Sequence, residues 1–359
     1  MNFRRLALSA LVLGMLVAGA AWLWRTELSM AVARRVAASR IGTDLQATLP
    51  DGLHVGLCGA GSPFPDERRS GPCTVVIAGK HLLVFDAGSG SARNIGKMGL
   101  VQGHINAIFL THFHSDHIDG LGELLLQRWV STRHVAPVPL YGPAGVDAVV
   151  NGITQAYTQD QRYRTAHHGE ATVPSGGFGA VTHPFDAGGG HATVVLKEGD
   201  LEVSAFEVSH APIHPAVGYR IRYKNRSVVL SGDTVKSPVL QQESAGVDLL
   251  VHEALSLPLV QVLIDAAGQA GRANLQQIFK DITNYHATPE QAAEVARDAK
   301  VRYLLLNHIV PTLPPMPGIE KAFLGSAPDI YTGPLRVGQD GDFISLPAGS
   351  GEINVSRLF

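Results

Sequence analysis

The sequence predicts an α/β chain in which two β-sheets lie face to face and are covered by helices, an αβ/βα four-layer sandwich. Three observations lead there. Apolar β runs alternate with helical stretches at 143–157, 235–245, 256–270 and 289–299. Metal-capable side chains stand just beyond several of those β runs, where the loops of layered α/β folds place their chemistry. A chain of 359 residues that is 45% hydrophobic can bury a full core as one large domain, and no linker or internal repeat interrupts it.

The N-terminal element comes first. Residues 1–25 hold Arg4 and Arg5, an uncharged, mostly apolar run from Leu6 to Trp24, and then Arg25. A run of that length fits a bilayer, and Trp22 and Trp24 suit its interface. Residues 1–25 therefore read as a signal anchor with the N terminus inside, or as a signal peptide cleaved near Ala18–Ala20. Either reading expects an exported protein: membrane-anchored and facing the periplasm or the extracellular side, or periplasmic if the segment is cleaved. Residues 26–50 follow as a short helical stalk whose Arg34, Arg35 and Arg40 suit lipid head groups. Cys58 and Cys73 are the only cysteines. In a cytosolic chain both would be buried small residues, whereas export makes a disulfide between them plausible. Such a bridge would contribute about 3 kcal/mol.

The most informative element is Thr111 to Gly120, THFHSDHIDG. Side chains two apart on an extended segment point the same way, so His112 and His114 can grip one ion while Asp116 and His117, past the bend, grip a second. The bland reading is a His-rich surface loop. Against it, apolar Ala107 to Leu110 lead in and an apolar, helix-like stretch from Leu121 to Leu126 follows, which is a strand end, a loop and a helix start. Further candidates follow other β runs: His210 after Leu201 to Val208, Asp233 after Val228 to Leu230, and His308 after Tyr303 to Leu306. Any one alone is more often a hydrogen-bonded structural residue or a turn. Together they converge on one face of a sheet and read as a two-metal hydrolase domain over 51–359. Nitrogen and oxygen donors without thiolate suit two Zn²⁺, and Mn²⁺ or Fe²⁺ also fit the donor types.

Residues 53–346 resemble the metallo-β-lactamase superfamily, in its ribonuclease-Z-like and arylsulfatase-like branch. The marks are LCGAGSPFP (57–65), LLVFDAGSG (82–90), THFHSDHIDG, FEVSHAPIHPAVGYRI (206–221), VVLSGDT, VHEA (251–254), YHATPEQAAE (285–294) and LLLNHIVP (304–311). The resemblance implies that His112, His114 and His210 hold one metal, that Asp116, His117 and His308 hold the other, and that Asp233 bridges both. It also implies that His286 is the acid for the leaving group, so that Asp116 and His286 are the catalytic pair, and that His252 and Glu253 orient His ligands or His286. Asp86 would support the metal loop from beneath; read by itself, it caps the helix expected around 91–98. Thr288 and Gln291 form a capping box on the helix beginning at Pro289. Leu255 departs from the Thr that tRNA-processing members usually carry there. In the implied mechanism, metal-bound hydroxide attacks an electrophilic phosphorus, sulfur or carbonyl centre while His286 protonates the leaving oxygen.

Charge and spacing bear on the substrate. Without residues 1–25 the chain carries 26 basic and 31 acidic residues, a formal −5. That balance argues against nucleic acid as a partner. Only 22 residues separate His210 from Asp233, spent on a hairpin, whereas the resemblance implies a long binding arm in that interval of tRNA-processing members. The expected function is therefore cleavage of a phosphodiester or sulfate ester in a small molecule. The alternatives are a ribonuclease Z-type 3′-tRNA endonuclease, a lactone or β-lactam hydrolase, or an iron-binding redox protein of the same fold. The expected partners are the small-molecule ester, the membrane through the N-terminal segment, and, left open, a second copy in a homodimer. Ala166 to Gly190 reads as a loop bordering the active site, with His167, His168, His183 and His191 solvated rather than ligating. Tyr331 to Asp340 (YTGPLRVGQD) also resembles the arylsulfatase-like branch, where it closes the domain, and receives no chemistry.

Overall fold

A computed structural model describes residues 3–359, with the side chains of Phe3, Arg4 and Leu6 excepted. Met1, Asn2 and those three side chains of the predicted N-terminal segment lie outside the described residues. The chain divides into two units, Met1–Asp44 and Leu45–Phe359.

The first unit is two helices, α1 (Phe3–Leu23) and α2 (Arg25–Ile41), whose large apolar side chains, among those described, are exposed, Leu11, Val17 and Trp22 included. They are bent by 67° at the break between them. Among the described residues no single helix is long and apolar enough to cross a membrane; Ala7–Leu23 and Arg25–Ile41 pass that test only as a bent pair. The break lies at Trp24, the last residue of the apolar run, beside the boundary between the segment read as anchor or signal and the one read as stalk, where φ is −100° and ψ 13°.

The second unit opens with β1 (Gly52–Gly59), β2 (Cys73–Ala78) and β3 (His81–Phe85), then α3 (Ser91–Lys97), β4 (Ile105–Phe109), α4 (Ser115–Ile118) and α5 (Leu121–Ser131). Next come β5 (Val138–Pro143), α6 (Val146–Ala156), α7 (Thr158–His168) and β6 (Ala180–Phe185). Then follow β7 (Thr193–Glu198), β8 (Leu201–Glu207), β9 (Val217–Tyr223), β10 (Arg226–Leu230), α8 (Pro238–Glu243) and β11 (Leu249–Leu255). After α9 (Leu257–Gln269), α10 (Ala273–Asp281), α11 (Pro289–Asp298) and β12 (Leu304–Val310), the chain ends through α12 (Ile319–Leu324), α13 (Ala327–Ile330), β13 (Leu335–Val337), β14 (Asp342–Pro347) and β15 (Asn354–Arg357). One sheet runs β15-β14-β1-β2-β3-β4-β5-β6 and the other β13-β12-β11-β10-β9-β8-β7.

Both faces of the central strands are buried, so their sequences are near-continuous apolar runs. Along β2, Val76 and Ala78 face the core between the sheets, while Val75 and Ile77 face the helices outside. The inner core joins Leu53, Phe85 and Phe109 of the first sheet to Val203, Tyr219 and Leu305 of the second. Ile95, Leu124 and Trp129 cover the first sheet from α3 and α5. Leu240, Ala292 and Phe323 cover the second from α8, α11 and α12. The four-layer αβ/βα sandwich follows from this arrangement. At its rim the sheets are stitched together: the Tyr219 hydroxyl donates to Leu110 O at 2.6 Å and Val217 N to Thr111 O at 3.0 Å.

Two parallel runs, β3-β4-β5-β6 and β10-β11-β12-β13, put their strand ends at that rim. The interval between His210 and Asp233 is filled by the β9–β10 hairpin, turning through Lys224 and Asn225. Ala166 to Gly190 is not the loop expected from its His, Gly and Pro content. It contains the end of α7 and all of β6, an edge strand parallel to β5. Exposed positions on an edge strand tolerate polar side chains, which erased the apolar alternation. Its His183 stacks on Tyr141, and His191 Nδ1 donates to Gly189 O.

Cys58, near the end of β1, is joined to Cys73, at the start of β2, with their Cα atoms 5.0 Å apart and both side chains buried. The bridge closes the turn that carries Pro63 and Phe64. Replacing both cysteines by alanine should lower the unfolding free energy by about 3 kcal/mol, as expected for a loop of this length. Chemical denaturation checks this, and an unchanged midpoint would show that the bridge contributes nothing.

Candidate metal centre

The rim gathers seven side chains from four chain segments. His112, His114, Asp116 and His117 come from the loop after β4, His210 from beyond β8, Asp233 from beyond β10 and His308 from β12. All but His114 are buried. Two donor sets form, one of His112, His114, His210 and Asp233 and one of Asp116, His117 and His308. In the first, His112 Nε2 and His114 Nδ1 are 3.0 Å apart, His114 Nδ1 and His210 Nε2 3.3 Å, and Asp233 Oδ2 is 3.9 Å from both His112 Nε2 and His210 Nε2. In the second, His308 Nε2 is 3.3 Å from Asp116 Oδ2 and His117 Nε2 is 3.7 Å from it. Asp233 Oδ2 is 3.2 Å from His308 Nε2 and 3.3 Å from His117 Nε2, so a single oxygen belongs to both sets.

Donors held about 2.0–2.1 Å from a tetrahedral ion lie about 3.3 Å from one another, close to these separations. Hydrogen bonds fix which nitrogen each ring presents. The Thr111 hydroxyl donates to Asp86 Oδ2 at 2.8 Å and so accepts from His112 Nδ1 at 3.0 Å. His117 Nδ1 donates to the same Asp86 oxygen at 2.8 Å, and His210 Nδ1 to Tyr285 O at 2.9 Å. The Nε2 lone pairs of His112, His117 and His210 are thereby turned to the centre, the arrangement metal-ligating histidines require. His117 Nε2 is buried without a hydrogen-bond partner. The residues present fit a pair of divalent ions.

Charge is divided unevenly. Burial, reinforced by His117, holds His112 well below the usual imidazole range, and burial likewise lowers His114 and His210. Burial would lower His308 too, but Asp233 and Asp116 outweigh it and raise it to about 9. His117 is raised well above its ordinary value, because Asp233 and Asp86 overcome its burial. Asp233 is itself buried, which alone would raise it, yet His308 and His117 hold it well below the usual carboxylate range.

Backbone distortion aims the donors. Glu253 pairs with Asn307 and Ala254 with Ile309, leaving His308 as the extra residue of a bulge at φ 45°. His308 thus sits within β12 rather than just beyond a β run. Asp86 adopts φ 56° and accepts from both the amide and the hydroxyl of Thr111. It does not cap α3, whose first residue is preceded by Gly90. A Cβ at Gly88 would come 2.3 Å from Asp116 O, so only glycine lets this turn lie against the metal loop.

His286 lies beside the centre, its ring 5.2 Å from that of His210 and 5.3 Å from that of His308, and its Nδ1 donates to Glu253 Oε1 at 3.0 Å. The same oxygen accepts from Thr234 N and Ala287 N. His286 also falls within donor distance of Asp233 and His308. His252 does not share the orienting task expected of it. Successive residues of β11 face opposite sides, so with Glu253 aimed at His286 the His252 ring turns away, and its Nδ1 donates to Glu253 O. Thr288 and Gln291 form the capping box on α11. Sequence reasoning passed over Thr111, whose hydroxyl was legible only as part of the motif, and Asp340. The carboxylate of Asp340 holds Ala60 N, Ser70 N and Asn94 Nδ2 and fixes the turn beside the site. No local signal marks it.

A cleft of about 350 Å³ opens onto the donor cluster, walled on one side by Phe64 and by Leu275, Ile278 and Phe279 of α10.

Residues 81–309 match the family described as the beta-lactamase superfamily domain. The chain is 36% identical over 290 residues to ribonuclease Z of Mycolicibacterium gilvum (strain PYR-GCK), covering 80% of this chain and 94% of that protein. Ribonuclease Z of Mycobacterium avium (strain 104) is 34% identical over 300 residues, covering 83% of this chain and all of that protein. Among solved structures, human tRNase Z, short form, superposes with a TM-score of 0.56 at 22% identity, covering 82% of this chain and 99% of the other. The metallo-beta-lactamase fold protein YhfI from Bacillus subtilis gives 0.57 at 18% identity, covering 82% and 100%. These relatives overturn the expectation of a small-molecule ester substrate with nucleic acid an unlikely partner, since proteins alike over nearly their whole length are ribonucleases by name. The error lay in the use of net charge, which sums distant surface groups and does not report the field at a recessed site. The comparisons also favour ribonuclease Z over arylsulfatase. On its family match and its likeness over nearly the full length of these relatives, the chain belongs to the metallo-β-lactamase superfamily, as a ribonuclease Z-like hydrolase.

Proposed function

We propose that this chain is a metal-dependent phosphodiesterase of the ribonuclease Z type that hydrolyses RNA. The observation that carries the reading is the pair of donor sets sharing Asp233 Oδ2, at the floor of a cleft open to substrate. The ribonuclease Z relatives support RNA as the ester. Two Zn²⁺ ions held by His112, His114 and His210, by Asp116, His117 and His308, and jointly by Asp233 would supply an acidified water and counter-charge for the substrate oxygens.

The chain's own groups do the rest. With Nδ1 engaged by Glu253, His286 has Nε2 free to give a proton to the leaving oxygen, and the Glu253 carboxylate steadies the ring as its charge changes. Asp86 and Thr111 keep the rings of His112 and His117 in the ligating tautomer. We also place the catalytic unit outside the cytoplasm. The apolar segment from Leu6 to Trp24 and the Cys58–Cys73 bridge support this. A C-terminal alkaline phosphatase fusion, active only after export, should be active; an inactive fusion made at equal level would sink the placement.

Zn²⁺-loaded protein should cleave a 3′-extended precursor tRNA. His286→Ala should reduce the rate by about 10²–10⁴-fold, and Asp233→Ala should abolish both cleavage and binding of the second ion. Gel analysis of the products with metal counting checks this; intact RNA in the presence of two bound ions would overturn the reading.

The ion-free charges give a pH dependence. His308, raised to about 9, and His117, also raised, hold protons at neutral pH that an incoming ion must displace. Affinity of that set should climb as pH rises towards 9, by about tenfold per unit for each proton displaced. The set with His112, His114 and His210, held low, should load at more acidic pH. Calorimetric titration of Zn²⁺ at pH 6 and pH 8 distinguishes the two steps, and equal affinities for the second ion at both would contradict the assignment.

A further inference from the structure

The helix α10 carries apolar side chains at Leu275, Ile278 and Phe279, with Ile282 just beyond it, one stripe of a helix that should bury itself against a core. Only half of the stripe does so. Ile282 packs with Leu255, Val260, Ile264 and Val310, and the Phe279 ring lies 5.7 Å from that of Phe64 at an interplanar angle of 30°. Leu275 and Ile278 stay 39% and 52% exposed and line the cleft above the donor cluster. The polar side chains of that cleft are the donors themselves, His286, or their sequence neighbours Ser115 and Tyr285. The opposite wall therefore offers apolar and aromatic surface with no group to read hydrogen-bonding edges.

Resting on the phosphodiesterase reading above, we propose that Phe64, Phe279, Leu275 and Ile278 form a subsite for one unpaired nucleobase adjoining the scissile phosphate. The phosphate is held at the donor cluster, so whatever is bonded to phosphorus on the α10 side must meet this wall. In RNA that group is a nucleoside, and its flat, weakly polar base matches an aromatic and aliphatic surface, which binds any base because every base has a π-face. The cleft, about 350 Å³, has room for a nucleotide, and a base must be unpaired and unstacked to lay its face on this wall. The cut consequently falls where the RNA is single-stranded, with little preference for base identity.

The test uses the full Zn²⁺-loaded chain and two esters with the same leaving group, thymidine 5′-(4-nitrophenyl) phosphate and methyl 4-nitrophenyl phosphate. The ratio of their kcat/KM values reads the base subsite. Phe279→Ala should lower that ratio about tenfold, mainly through KM for the nucleoside ester. Phe279→Tyr should keep it, and Phe64→Leu should lower it in the same direction as Phe279→Ala. Equal losses on both esters, or an unchanged ratio, would overturn the subsite. Failure of the wild-type protein to hydrolyse either ester would count against the phosphodiesterase reading alone. The subsite is then decided by calorimetric binding of thymidine 5′-monophosphate against methyl phosphate: weakening by Phe279→Ala of the nucleotide only supports it, and equal effects on both refute it.

Discussion

A carboxylate buried at the junction of two sheets is the constraint around which this molecule is arranged. Removing an ion such as Asp233 from water costs several kcal/mol even after relaxation, unless opposite charge and hydrogen-bond donors surround it. Here four imidazole nitrogens lie within 3.9 Å of its Oδ2, contributed by His112, His117, His210 and His308. No single strand or loop could supply them. Both sheets must therefore end at the same rim, and the Tyr219 to Leu110 and Val217 to Thr111 bonds hold those ends together directly beneath the cluster.

The same requirement explains where the backbone is strained. Two of the described non-glycine residues at positive φ, Asp86 and His308, belong to the site, and such conformations persist only where their surroundings impose them. His308 needs the bulge because a regular residue of β12 would point into one of the two cores instead of towards Asp233. Asp86 needs its left-handed conformation to turn both carboxylate oxygens on Thr111 and His117. Strain in two residues is thus exchanged for a fixed orientation of the two rings that face each other across the shared oxygen.

The parts of this arrangement that were legible in the sequence are those governed by local periodicity. His112 and His114, two apart on extended backbone, and the apolar runs that precede His210 and Asp233 declare a strand-end metal cluster because spacing and burial act over a few residues. The four expected helices appear as α6, α8, α9 and α11 within a few residues of their expected ends. What was not legible depends on contacts between distant segments. Asp340 serves Ala60 and Ser70 across more than 250 positions. The polar edge strand β6 lacks an apolar alternation, and α10 reveals its purpose only when its stripe is seen half-unburied over the cleft. Overall charge misled about nucleic acid for a related reason, since a sum over the chain holds no information about where the charges lie.

One oxygen couples the metal centre to the proton donor. Glu253 Oε1 accepts from Thr234 N at 3.0 Å, from Ala287 N at 3.1 Å and from His286 Nδ1 at 3.0 Å. Thr234 is the neighbour of Asp233 and Ala287 is the neighbour of His286, so a buried carboxylate on β11 sets the distance between the segment carrying the shared ligand and the segment carrying the acid. Removing it would free both amides and the imidazole at once, leaving three donors inside the protein without their acceptor, a cost of about 1–3 kcal/mol for each one left unsatisfied. The spacing of donor and ligand is therefore secured by the stability of the fold, and the cleft can vary its apolar wall without disturbing it.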